Sequence, residues 1–193
     1  MSATNDPRAL LDFWFSAYAR ERWFVKEAAF DAELARRFAA QQRAAADGRL
    51  SDWERTPDSA LALVLLLDQL PRNLFRNDPR AFASDEDARA VAGRAIARGF
   101  ERETPLDRRK FFYLPYEHSE NLADQDRAIE LFRAWLAAHG PDPGEKLIEQ
   151  LWYAERHHEI IRRFGRFPHR NQALGRPSTE AEIEFLKEPH SGF

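Results

Sequence analysis

The most apolar stretch of the chain runs from Ala60 to Leu67, where every residue is Ala, Leu or Val. Thr56 and Pro57 precede it, and a hydroxyl residue followed by proline is typical of the start of a helix. The apolar positions cover almost the whole circumference of such a helix, and the run is too short to span a bilayer. The pattern therefore predicts a central helix that continues to about Leu70 and is surrounded by protein.

An acidic residue, Asp68, lies near the end of this predicted helix. A negative charge at that position opposes the helix dipole, and its burial without a partner would cost several kcal/mol. We therefore expect a cation beside Asp68. The candidates are Arg72, Arg76 or an arginine from a distant part of the chain.

Apolar residues at helical spacing recur along the rest of the chain and predict further helices. These cover residues 6–17, 27–47, 84–97, 106–114, 119–139, 145–164 and 178–187. The 106–114 helix is expected to end where Pro115 begins, and Ser119 is expected to cap the next helix. No stretch alternates in the manner of a strand, and Ile, Val and Thr are sparse. The sequence predicts an all-α protein of antiparallel helical hairpins, arranged as a bundle or as a curved stack.

Composition adds several exclusions to this picture. A chain of 193 residues is long enough for one good core, so we predict a single domain. The net charge is -3, which does not favour binding to nucleic acid or to an anionic membrane. The absence of cysteine excludes disulfides and thiolate metal sites. The segment Met1–Pro7 lacks the pattern of a signal peptide, so we expect a cytoplasmic protein.

Three polar segments adjoin apolar sequence that is expected to bury them, namely Asp68–Asn73, Tyr113–Glu120 and Arg162–Asn171. Their sequences include LDQLPRN, FFYLPYEHSE and RFGRFPHRN, and LGRPST and the terminal Phe193 follow later. These motifs resemble a bacterial family catalogued as domain of unknown function 924, and the resemblance covers nearly the whole chain. It implies an α-α superhelix of the tetratricopeptide-like type. It implies no activity.

The candidate ligand-binding residues are those polar residues that sit at matching positions of the family's motifs. They are Asp68, Arg72, Asn73, Glu117, His118, Glu120, His157, Arg166, His169, Arg170 and Asn171. We expect these side chains to meet at a common centre beside the central helix. An arginine presents a planar fork, which either pairs with a neighbouring carboxylate or holds the carboxylate or phosphate of a ligand.

Three functional hypotheses follow from this set. The first is a binding module for a small anionic ligand or an acidic peptide end. The second is an enzyme of unknown reaction, with His118 as acid or base beside Glu117 and with arginines holding an anionic substrate. The third is a structural role, in which the polar residues fasten the C-terminal tail to the core.

Local patterns leave some of these roles open and exclude others. His118 and the carboxylates around it can also form the capping arrangement of a helix N-terminus. His157 is expected to face the core as a hydrogen-bonded histidine. No HExxH or comparable spacing is present, so we predict no metal site. No P-loop and no GxGxxG motif are present, so we predict no nucleotide cofactor.

Overall fold

The computed structural model describes residues 6–192, so that Met1–Asn5 and Phe193 lie outside the described residues. The chain forms two compact units. The N-terminal unit comprises residues 6–76 and 80–115, and the C-terminal unit comprises residues 77–79 and 116–192. That the whole chain forms a single domain stays a prediction.

The described residues form α-helices and short 3-10 helices, and no β-strand occurs between residues 6 and 192. The α-helices are α1 (Pro7–Trp14), α2 (Ala17–Arg20), α3 (Ala28–Ala46), α4 (Pro57–Leu67), α5 (Gln69–Leu74), α6 (Asp85–Ala97), α7 (Phe100–Glu103), α8 (Leu114–Glu117), α9 (Leu122–Ala138), α10 (Glu145–Phe164) and α11 (Glu180–Phe185). The predicted all-α class is therefore confirmed, whereas the superhelical arrangement stays a prediction. Across residues 6–192, no helix combines the length and the apolar character needed to cross a membrane.

Helix α4 forms the centre of the N-terminal unit. Every residue from Ser59 to Leu67 is buried, and α4 packs against α1, α3, α5 and α6. Each fully buried leucine contributes roughly 1.5–3 kcal/mol of hydrophobic stabilisation, which explains why the most apolar stretch takes this position. The Thr56 hydroxyl accepts a hydrogen bond from the Ser59 amide, and Pro57 occupies the first turn, as the sequence predicts.

The central helix ends earlier than predicted. It stops at Leu67, and α5 begins at Gln69 instead of continuing the same helix. Pro71 lacks an N–H group, so it cannot donate to the Leu67 carbonyl four residues earlier. The Ser84 hydroxyl donates to that carbonyl instead, at 2.6 Å. The side chain of Asp68 therefore leaves the chain at a break between two helices.

Two further helix boundaries differ from the prediction. Residues Leu106–Phe112 form a 3-10 helix, and Pro115 lies within α8 instead of ending a helix. Proline is tolerated there because the first turn of a helix needs no amide donor. Asn121, and not Ser119, caps α9. The Ser119 hydroxyl accepts from the Asn121 amide at 3.2 Å and donates to Asp124 at 2.6 Å.

The first and last helices are also shorter than predicted. The 6–17 helix is divided by Ser16, whose hydroxyl accepts from the Ala19 amide and begins α2. The 178–187 helix shortens to α11, which begins after Thr179.

The C-terminal unit is built on the hairpin of α9 and α10. His158 contacts Asp126 at 2.9 Å, and Glu155 accepts from Arg133 at 3.0 Å, so that the two helices run antiparallel. Gly165 ends α10 with a φ of 68°, which is a left-handed conformation that glycine adopts without strain. The chain then turns back, and Phe167 is fully buried against the end of α10.

Candidate functional site

In the N-terminal unit, Asp68 is fully buried and contacts a cation, as predicted. Its carboxylate lies 3.3 Å from the guanidinium of Arg72 and accepts a hydrogen bond from the Gln69 side chain at 2.6 Å. Arg72 also donates two hydrogen bonds to Asp85, at 2.9 and 3.0 Å. The guanidinium therefore lies between two carboxylates, which is an arrangement that stabilises the break between α4 and α5.

A second polar cluster lies on α5 and involves Asn73. The side-chain amide of Asn73 donates to the carboxylate of Asp31 on α3 at 2.8 Å. Arg76 donates to both oxygens of the same carboxylate. Because Asp31 lies more than forty residues earlier in the chain, these bonds join α3 to α5. These contacts support a structural role for Asn73 and Arg76 in holding α5 against α3 in the N-terminal unit.

In the C-terminal unit, five of the predicted residues form a group that we call the histidine cluster: Glu117, His118, His157, His169 and Arg170. The rings of His118 and His157 lie 6.2 Å apart between centroids. The Gln125 side chain donates to the Ser119 carbonyl at 2.7 Å and to the Glu117 carbonyl, and this holds the backbone on both sides of His118.

Phe167 connects the remaining members of the histidine cluster. Its ring packs edge-on against His157 at 5.4 Å and lies 5.6 Å from His169. The guanidinium carbon of Arg170 lies 4.4 Å from the centre of the same ring, a distance suited to a cation-π interaction. His118 and His169 are partly exposed, whereas His157 and Arg170 are buried.

The environment of His157 defines its protonation. Burial lowers the pKa of His157 well below its ordinary value, and the nearby basic side chains of His118, Arg170 and His169 lower it further. The ring is therefore neutral near neutral pH. Its Nδ1 lies 2.8 Å from the Tyr153 carbonyl oxygen, and Oε1 of Glu117 lies 3.2 Å from the same nitrogen. Since a carbonyl can only accept, the proton of the neutral ring resides on Nδ1, and Nε2 carries a lone pair.

A second group in the C-terminal unit, which we call the tail network, consists of Glu120, Arg166, Asn171, Arg176 and Glu182. Arg176 donates to both oxygens of Glu120, at 2.7 and 3.0 Å, and to the Phe167 carbonyl at 3.1 Å. The Phe167 amide donates to Glu120 at 2.8 Å. Although burial opposes ionisation, the hydrogen bonds from Arg176 and Phe167 hold the pKa of Glu120 below its ordinary value.

The other half of the tail network is centred on Glu182, which is 2% exposed. Arg166 donates two hydrogen bonds to its carboxylate, at 2.6 and 2.8 Å, and these lower its pKa to about 2. The Thr179 amide also donates to Glu182, at 2.7 Å, in a capping box at the start of α11. The side-chain amide of Asn171 donates to the Ser178 hydroxyl, and its oxygen accepts from Arg176 at 3.0 Å. Asn171 therefore links the half of the tail network around Glu120 to the half around Glu182.

None of the predicted residues belongs to a metal-binding cluster in the described part of the chain or to the apolar groove of the C-terminal unit. Among residues 6–192, no three His, Asp or Glu side chains are placed to share a metal ion. An open groove of about 400 Å³ lies between the facing ends of α9 and α10. It is lined by Leu136, Ile148, Leu151 and neighbouring apolar residues with Arg133, and none of the predicted binding residues contributes to it.

The predicted residues thus fall into groups that differ in chemistry. Asp68, Arg72 and Asn73 take part in ion pairs and hydrogen bonds of the N-terminal unit. Glu120, Arg166 and Asn171 join the tail network, and the other five form the histidine cluster. That all of them share one centre stays a prediction. The sequence analysis did not identify Asp31, Asp85, Arg176 and Glu182 as partners, although the T-x-x-E spacing of Thr179 and Glu182 is a readable capping signal.

Comparisons with known proteins agree with the fold and assign no chemistry. The model of a family described as a bacterial protein of unknown function, domain of unknown function 924, matches residues 10–190. The chain is also similar to the solved structure of a protein of unknown function, ATU0120, from Agrobacterium tumefaciens. The two sequences are 41% identical, with a TM-score of 0.85 over 95% of this chain and 97% of that chain. No curated protein matches.

Proposed function

Because the chain belongs to the family of bacterial proteins described as domain of unknown function 924, whose description gives no activity, we propose a function from the chemistry of its side chains. The proposed function is that of a binding module, in which the histidine cluster of the C-terminal unit holds a small anionic ligand or the acidic end of a peptide. We also retain the cytoplasmic location and the tetratricopeptide-like arrangement as proposals.

The observation that carries this proposal is the convergence of His118, His169 and Arg170 around His157 and Phe167, where the guanidinium of Arg170 contributes a positive electrostatic field. His118, His169 and Arg170 all lower the pKa of His157, because each of them disfavours a further positive charge at that ring. The same field attracts a negative charge placed nearby. Burial strengthens it, because a low local dielectric screens less than water does. One carboxylate, Glu117, lies in the cluster and offsets part of this charge.

The exposure of the histidine cluster also supports binding. His118 and His169 are partly exposed, so that part of each ring lies within reach of solvent, whereas Nδ1 of His169 is buried. His157 and Arg170 are buried behind them and are held by Tyr153 and by the face of Phe167. Side chains fixed in this way lose little entropy on binding, which favours affinity for a small ligand.

Arg72 and Arg166 are not part of the proposed site. Each guanidinium donates a pair of parallel hydrogen bonds to a carboxylate, from Asp85 and Glu182 respectively. The carboxylate of a ligand would have to displace the carboxylate of Asp85 or Glu182. These side chains are already held in place by the fold, so their pairing costs no entropy of association. Of the hypotheses drawn from the sequence, the fastening of the C-terminal tail is the one that these contacts favour for Arg166.

The proposed function is tested by titration calorimetry of the full chain with inorganic phosphate, sulfate and acetate in separate experiments. We expect at least one of these anions to bind near neutral pH. We expect His118→Gln and His169→Gln each to weaken its binding by about tenfold or more, because each removes one hydrogen bond to a charged group.

The matched control is His158→Gln, which changes the residue next to His157. His158 is bonded to Asp126 on α9 and does not belong to the histidine cluster, so this variant is expected to bind as the wild type does. Absence of binding by all three anions would overturn the proposal. An equal loss of affinity in His158→Gln and in the two cluster variants would do so as well.

An acid–base enzyme is the second candidate, and the contact between Glu117 and His157 favours it. The sequence analysis gives the acid–base role to His118, whereas Glu117 lies 3.2 Å from Nδ1 of His157 and can orient that ring instead. We would then expect the protein to hydrolyse an activated ester such as p-nitrophenyl acetate above the buffer rate. His157→Asn should abolish this hydrolysis and His158→Asn should retain it. A wild-type rate equal to the buffer rate speaks against this candidate.

A further inference from the structure

The turn between α2 and α3 carries two adjacent apolar side chains on its surface. Phe24 is 62% exposed and Val25 is 50% exposed, and the exposed Lys26 follows them; we call these three residues the apolar tip. The ring of Phe24 is restrained, because the ring of Trp23 packs edge-on against it at 6.3 Å and the ammonium of Lys110 lies 5.1 Å from its centre. The apolar tip therefore presents an ordered apolar surface with positive charge at its edge.

The apolar groove of the C-terminal unit has negative charge at its edge. Its lining includes Ile148, which is 50% exposed, and Arg133, which is paired with Glu155 at 3.0 Å. Asp142 lies between two prolines that line the groove, and Glu145 lies one helical turn before Ile148; both carboxylates are exposed. Neither of them forms an ion pair with another residue between 6 and 192. The groove therefore combines an apolar lining with an acidic edge.

The apolar tip and the apolar groove are complementary to each other and not to themselves. Adjoining apolar side chains bordered by charged residues mark protein–protein contact sites, because association removes their surface from water. A contact between two tips would bring two Lys26 side chains together, and a contact between two grooves would do the same for their carboxylates, so like-charge repulsion opposes both. A contact between a tip and a groove places Lys26 beside Asp142 and Glu145, where opposite charges attract.

We propose that the protein associates with a second copy of itself through a head-to-tail contact, in which the apolar tip of one copy occupies the apolar groove of the other. Phe24 and Val25 pack against the groove lining around Ile148, and Lys26 meets the acidic edge. A contact of this kind joins two different surfaces, so a pair held by one contact retains one tip and one groove for further copies. The inference is independent of the proposed anion binding, because no residue of the histidine cluster takes part in the contact.

Sedimentation equilibrium of the full chain at low ionic strength tests whether the protein associates with itself. We expect the weight-average mass to exceed that of one chain and to rise as the protein concentration increases from about 5 to about 500 µM, the range in which small interfaces dissociate. Added salt is expected to lower the mass, because it screens the attraction between Lys26 and the acidic edge. A mass equal to that of a single chain throughout this range overturns the inference.

Phe24→Ser and Ile148→Ser remove an apolar side chain from the tip and from the groove, respectively. Both side chains are at least half exposed, so we expect the variants to fold as the wild type does. Each is expected to weaken self-association by about tenfold or more, because one anchoring apolar side chain contributes at least this factor to a small contact. Ile183→Ser is the matched control, since Ile183 is 48% exposed and belongs to neither surface. An equal loss of self-association in Ile183→Ser and Ile148→Ser overturns the inference.

A mixture of the two variants tests the head-to-tail geometry. Phe24→Ser retains an intact groove and Ile148→Ser retains an intact tip, so the two proteins can form one contact with each other although neither associates with itself. We expect the mixture to contain a 1:1 complex with the mass of two chains and no larger species. A mixture in which both proteins remain single chains contradicts the proposed contact. Self-association of Ile148→Ser at the wild-type level contradicts it as well, because the tip would then contact another surface.

Charge reversal tests the pairing of the two edges. Lys26→Glu and Glu145→Lys each replace an attraction across the contact by a repulsion, so each is expected to weaken self-association at low ionic strength. A protein that carries both changes regains an opposite pair and is expected to associate more tightly than either single variant. Weaker association of the double variant than of both single variants contradicts the pairing of Lys26 with the acidic edge of the groove.

Discussion

Asp68→Ala is expected to reduce the free energy of unfolding by about 2–4 kcal/mol and to lower the Tm of the full chain by about 5–15 °C. The carboxylate of Asp68 is fully buried and lies 3.3 Å from the guanidinium of Arg72. Its removal leaves the amide of Gln69 without the oxygen to which it donates at 2.6 Å. It also opens a cavity at the break between α4 and α5. Thermal and urea unfolding of purified protein measure the loss.

Two further variants separate the possible causes of this loss. Asp68→Asn keeps the volume and removes the charge, so a smaller destabilisation than that of Asp68→Ala assigns the remainder to packing. Asp52→Ala removes an aspartate that is 78% exposed and paired with Arg55, and such exposed pairs contribute roughly 0–1 kcal/mol. A Tm for Asp68→Ala within about 1 °C of that for Asp52→Ala would show that the buried carboxylate does not stabilise the N-terminal unit.

The central helix shows what local sequence can predict and what it cannot. Its start is encoded by Thr56 and Pro57, whose hydrogen-bonding and backbone preferences act within one turn. Its end depends on Ser84, whose hydroxyl takes the place of the amide that Pro71 lacks. Because Ser84 lies seventeen residues beyond Leu67, periodicity along the chain does not reveal that donor.

The same distinction applies to the polar residues. The sequence predicts a cation beside Asp68 and leaves Arg72, Arg76 and a distant arginine as candidates; the structure shows Arg72, four residues away, in that place. The pairing of Glu120 with Arg176 joins residues 56 apart, and charge alone does not select one arginine among many. The tautomer of His157 depends on where the Tyr153 carbonyl and Glu117 lie, so the sequence could indicate a core histidine but not which ring nitrogen carries its proton.

Acidification is expected to destabilise the C-terminal unit through Glu182. In the folded protein the hydrogen bonds from Arg166 lower the pKa of this carboxyl from its ordinary value of 4.5 to about 2. The unfolded chain therefore binds a proton more readily than the folded protein does at intermediate pH. The stabilisation is fully present above the unfolded pKa and is lost as pH falls from about 4.5 toward about 2. Allowing for solvent screening around Arg166, we expect a loss of about 1–2 kcal/mol over this interval.

Glu182→Gln tests this linkage because glutamine has a similar shape and does not titrate. The variant is expected to be less stable than the wild type at neutral pH and to show a flatter fall in stability between about pH 4.5 and 2, measured by urea unfolding across that range. Glu184→Gln is the matched control on α11, since Glu184 is 72% exposed and pairs with Lys187. If Glu182→Gln and the wild type lose stability in parallel as pH falls, the pairing of Glu182 with Arg166 does not account for the acid sensitivity of the tail.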